Sequence, residues 1–140
     1  MSQVWVAGEV LIDLIPDGSE RKPIVGGGPA NTAKALSKLG IDTQFIDGIS
    51  TDNYGQMAKG ELVASGVKLD YIKYSDKPTC LAIISLSDSR SATYEFVIEN
   101  TATFMASTLT FSSIRKPANP LSPYVTTISD DPFASQLFTT

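Results

Sequence analysis

Two stretches carry residues whose type and spacing could do chemistry: GEVLID at 8–13 and GGGPAN at 26–31. In the first, Asp13 closes an otherwise apolar run. A carboxylate in that place can accept hydrogen bonds from two adjacent hydroxyls, each charge-assisted bond contributing roughly 1.5–3 kcal/mol. The carboxyl-terminal edge of a strand is also where open α/β sheets bind ligands. In the second, Gly26 and Gly27 allow a ligand to lie against the main chain. The helix start that follows offers free N–H groups and partial positive charge, and Asn31 adds a donor and an acceptor. The combination suits a polyhydroxylated ligand as well as an anion. Each stretch also has a plainer reading: a glycine turn that only links strand to helix, and a solvated aspartate at a strand-to-turn junction.

The surrounding residues exclude several chemistries. A phosphate-gripping loop requires G-x-x-x-x-G-K-[ST], whereas the chain from Gly26 reads GGGPANTA, with no lysine. The dinucleotide fingerprint requires a third glycine where Asn31 stands, and should follow the first strand directly, whereas IPDGSERK intervenes. Histidine is absent, which removes Ser-His-Asp and Cys-His nucleophiles and most zinc sites, and no metal site is expected. Cys80 is the one cysteine, so no internal disulfide forms, which suits a reducing cytoplasm. The net charge of −4 supplies no basic field for nucleic acid or anionic lipid. No apolar run approaches the ~18 residues that span a bilayer, so no membrane partner is expected. The opening MSQVWVAGEVLIDLI lacks a charged n-region and carries acids, which argues against a signal peptide.

The elements that must position these residues are legible as alternating strands and helices up to residue 104. VWVAGEVLI (4–12) reads as a buried strand, and Pro16-Asp17-Gly18 as a turn. ANTAKALSKL (30–39) reads as a helix with Ala33, Leu36 and Leu39 on one face and Gly40 as its stop. TQFIDGI (43–49) is a second strand. Asp52 caps a helix over about 53–65 that presents Tyr54, Met57, Ala58 and Leu62 and stops at Gly66. LDYIKY (69–74) and CLAIISL (80–86) are further strands, and Asp88–Ser91 a turn. ATYEFVI (92–98) alternates, with Tyr94, Phe96 and Ile98 sharing a face. This order predicts an α/β fold with a parallel core sheet and an antiparallel hairpin attached.

After residue 104 the composition changes. All ten glycines lie between Gly8 and Gly66, and residues 105–140 hold six serines, six threonines, four prolines and only four charges. Pro117, Pro120 and Pro123 stand too close together for a helix or an inner strand. The expected organisation is therefore one unit over 1–104 and an irregular Ser/Thr/Pro-rich tail over 105–140, of the kind a shifted reading frame or premature end would give.

Asp13 and the glycine run together resemble the ribokinase-like, or PfkB, carbohydrate kinases, in their fructokinase-like branch. GEVLIDLIP at 8–16 is similar to the family's opening strand, and GGGPANTA at 26–33, followed at a set interval by Gly40, to its first signature. ISTDNYG at 49–55 is similar to V-G-D-D-x-x-G, and KPT at 77–79 with the following hairpin to its lid strands. The resemblance implies the N-terminal part of a ribokinase-like parallel-sheet core with an antiparallel lid. It implies ATP-dependent phosphorylation of a furanose sugar such as fructose, or of a related riboside, assisted by magnesium.

Under that resemblance Asp13, Gly26, Gly27 and Asn31 bind the sugar, and Tyr94, Phe96 and Ile98 help form the lid. The same hairpin is a place for homodimer formation. The family's second signature, D-T-x-G-A-G-D, which carries the base and the anion hole, does not occur in the 140 residues. No catalytic residue is therefore assigned, no site for ATP or magnesium is identified, and the chain alone is expected not to catalyse. A non-catalytic sugar-binding or dimerising module is the alternative.

Overall fold

The computed structural model describes residues 3–87 and 91–104. The expected turn over 88–91 lies mostly outside that range, and the tail over 105–140 entirely outside it. The core layer is built on β1 (Val4–Ala7) and β4 (Thr43–Ile46), which pair in parallel with Val4 opposite Thr43 and Ala7 opposite Ile46. α1 (Gly28–Lys38) packs against both. β5 (Gly48–Ser50) pairs in parallel with β6 (Lys73–Ser75), and α2 (Asn53–Ala64) packs on β5. Val6, Ile12, Ala33, Phe45, Ile49 and Leu62 belong to the main buried cluster, the fully enclosed hydrophobic centre of these layers.

The run expected as one strand over 4–12 is broken. Gly8 turns away with φ +142° against the Pro29 ring, and after Glu9 and Val10 the chain enters a different sheet as β2 (Leu11–Asp17). Asp13 is therefore the third residue of a seven-residue strand, not a strand end. β2 folds back through Gly18 and Ser19 into β3 (Glu20–Gly26), a strand absent from the sequence reading. β7 (Leu81–Leu86) joins the other side of β2 in parallel, and β8 (Ala92–Val97) closes antiparallel on β7. The sheet order is β3-β2-β7-β8, so what was expected as an attached hairpin is a four-stranded sheet. Arg21 on β3 reaches across β2, its guanidinium donating to the carbonyls of Leu14 at 3.3 Å and of Ile84 on β7 at 2.6 Å.

Both helices end as their glycines require. Gly40 and Gly66 have φ +80° and +84°, and the N–H groups of Ile41 and Val67 reach back to the carbonyls of Leu36 and Leu62. The expected faces need correction at their ends. Leu39, past the last turn of α1, is 78% exposed, and Met57 lies at the rim of its face while Ala58 and Leu62 are buried. The expected strand over 43–49 divides at Asp47, and that over 69–74 forms ladder only from Lys73.

Candidate functional site

The glycine run sits where the four-stranded sheet hands the chain to α1. Gly26 is the last residue of β3, opposite Leu11, and Asp13 lies two residues further along β2. The Asp13 carboxylate leans on the bare Cα of Gly26: a Cβ there would run into Oδ2 and lie 2.9 Å from Cγ. Partial burial pushes the Asp13 carboxyl above its ordinary pKa of 3.8.

Gly27 is the residue before the helix, held at φ +102°, and a Cβ on it would meet the Glu9 carbonyl at 2.6 Å. Having no side chain, it leaves the start of α1 uncapped, and the first turn holds no acidic residue. Pro29 sits within that turn, where a missing N–H costs no intrahelical bond. The partial positive end of α1 thus lacks a charge of its own beside an aspartate. Asn31 is exposed one turn in, its N–H bonded to the Gly27 carbonyl at 2.9 Å. The structure therefore brings Asp13 and Gly26 into direct contact and ties Asn31 to Gly27 through the backbone. Lys34 steadies the turn from behind, bonding Glu61 on α2 at 2.6 Å and lying 3.5 Å from the Val25 carbonyl.

The residues expected on one lid face separate. Tyr94 and Phe96 are exposed and stacked at 6.2 Å between ring centroids, whereas Ile98 lies past the end of β8 and packs on the cluster of Leu11, Cys80 and Ala82. Among the described residues no three His, Cys, Asp or Glu side chains gather where they could hold a metal ion. No helix of the described residues is long and apolar enough to cross a membrane.

Two further acids are held by several partners among the described residues: Asp47, which the sequence analysis did not single out, and Asp52, expected only as a helix cap. Asp47, at the break between β4 and β5, is fully buried and accepts from the N–H groups of Val10 (3.2 Å) and Phe104 (2.7 Å) and the Thr103 hydroxyl (2.7 Å). Burial outweighs these bonds and raises its pKa from 3.8 to about 7. Asp52 caps α2 as expected, accepting from Gly55 N–H at 2.7 Å. It also accepts from Thr79, through the N–H at 2.9 Å and the hydroxyl at 2.6 Å. Burial opposes its charge, but the bonds from Thr79, Gly55 and Ser50 prevail and lower its pKa.

Parallel layers under a sheet that carries an acid onto a glycine turn define a ribokinase-like α/β fold, and known proteins agree. A model of the pfkB family of carbohydrate kinases matches residues 1–120, and the chain belongs to that family. Fructokinase from Rhizobium leguminosarum bv. trifolii is 37% identical over 110 residues, covering 75% of this chain and 33% of that protein. The structure of Xylella fastidiosa fructokinase with bound ATP superposes with a TM-score of 0.70 at 27% identity, over 77% of this chain and 34% of that one. Vibrio cholerae O395 fructokinase, bound to fructose, ADP and calcium, gives 0.62 at 28% identity, over 73% and 34%. The chain spans about a third of the length of the relatives it matches.

Proposed function

We propose that this chain supplies the sugar-positioning part of a cytoplasmic carbohydrate kinase that transfers phosphate from ATP to a hydroxyl of a furanose, fructose or a related riboside. The observation that carries the reading is the Asp13 carboxylate resting on Gly26 at the mouth of an uncapped helix start. Asp13 accepts bonds from adjacent ring hydroxyls, Gly26 and Gly27 let the ring come down on the backbone, and Asn31 adds an amide contact. Tyr94, Phe96 and Ile98 belong to a lid that excludes water when closed. The fructose and ADP held by the Vibrio relative support this class of ligand.

Phosphoryl transfer depends on positioning and on stabilising charge. In this reading Asp13, Gly26, Gly27 and Asn31 serve the first, and no residue of the chain is assigned to the second. The 140 residues contain no stretch like D-T-x-G-A-G-D, and in this reading the chain does not turn over by itself and binds sugar weakly. Ligand-observed NMR with fructose and ribosides, without ATP, tests the site: saturation transfer to the sugar is expected and is lost in Asp13→Ala. Equal transfer in the variant would remove Asp13 from the site. ATP consumption above background by the pure chain would overturn the claim of no turnover.

A second reading, a dimerising module, is favoured by the exposed Tyr94–Phe96 stack on β8, which pairs only with β7 among the described residues.

A further inference from the structure

We propose that Asp47 and Asp52 are positioning residues, each carboxylate clasping one root of the β7–β8 hairpin and together fixing its pose beside β2. The hairpin leaves the core layers at Thr79 and Cys80 and returns to them at Thr101–Phe104. At the first root, Asp52 takes both donors of Thr79, the N–H at 2.9 Å and the hydroxyl at 2.6 Å. At the second, Asp47 takes the Thr103 hydroxyl and the Phe104 N–H, each at 2.7 Å. The Ala102 N–H donates to the Pro78 carbonyl at 2.9 Å and ties the two roots to each other.

Both acids stand on the core side. Asp47 occupies the β4–β5 break and also holds Val10, where the chain enters β2; Asp52 begins α2. A cap for α2 needs one oxygen on Gly55, yet the second oxygen of Asp52 is spent on Thr79. From the first root the strand enters register at once: Ile12 N–H donates to the Cys80 carbonyl at 3.0 Å, and Ala82 lies opposite Asp13. The Asp52 clasp thus acts three residues from Ala82, the neighbour of Asp13. Their description as positioning residues rests on the sugar-site reading of Asp13; the clasps themselves do not.

The test is amide hydrogen exchange, read by mass spectrometry on the full 140-residue chain without sugar. Thr79→Val and Thr103→Val keep side-chain shape and remove one hydroxyl each. Exchange over 81–86 and 92–97 is expected to quicken by roughly fivefold to tenfold, as the loss of one well-placed bond implies, with α1 and β4 unchanged. Thr79→Ser restores the hydroxyl and is expected to restore protection. Asp52→Asn keeps an acceptor for Gly55 and the Thr79 hydroxyl, loses the Thr79 N–H bond, and is expected to loosen the hairpin while α2 stays protected. Unchanged exchange in the hairpin, an equal rise in α1 and β4, or no recovery in Thr79→Ser would overturn the proposal. With no sugar present, these outcomes are independent of whether Asp13 binds one.

Discussion

Asp47 is a carboxyl group enclosed on all sides, and its titration leaves a mark on stability. Its pKa is 3.8 in the open chain and about 7 when folded. Between those values the folded protein keeps a proton that the unfolded chain has released, so stability falls as pH rises from about 4 to about 7. Asp13, also raised by burial, contributes with the same sign. Asp52 is lowered, so its contribution is present above 3.8 and is lost only as pH falls below that. Urea unfolding of the wild type is therefore expected to show a lower midpoint near pH 8 than near pH 5, and Asp47→Asn to flatten the difference. An equally steep profile in the variant would locate the titration elsewhere. Nothing in the local sequence marks Asp47, because its partner Thr103 lies 56 residues away, near the boundary where the glycine-bearing composition gives way to the Ser/Thr-rich one. Asp13 and Gly26 were legible because an acid in an apolar run and a triple glycine are rare local patterns.

At the scale of elements, α1 depends on its approach. Gly27→Ala would place a methyl group in a left-handed backbone and against the Glu9 carbonyl. A loss of roughly 2–3 kcal/mol is expected, measured by denaturant unfolding, since strain and overlap add. Helix limits were readable because caps and stops are written in single residues: Asp52 before α2, Gly40 and Gly66 after the helices. Strands were less so. The apolar run at 4–12 hides a change of sheet, because a buried residue in either sheet looks the same and only the φ of Gly8 separates them. β3 was missed because ERKPIVG is charged and carries Pro23. It stands at the edge of its sheet, where a proline is tolerated on the side facing no partner.

At the scale of the whole molecule, nothing among the described residues covers either face of the four-stranded sheet along β8, whose residues are all exposed. Tyr94 and Phe96 there form an apolar patch suited to a second copy of the chain. Sedimentation equilibrium is expected to show dimers that dissociate in the double variant Tyr94→Ser/Phe96→Ser, with the far-ultraviolet circular dichroism unchanged. Dimers that persist would assign association to another surface. Arg21 links three strands of that sheet. Its guanidinium bonds the carbonyl of Ile84 two strands away as well as that of Leu14, which adds a side-chain tie between the β2–β3 and β7–β8 hairpins to the backbone ladder of β2 and β7.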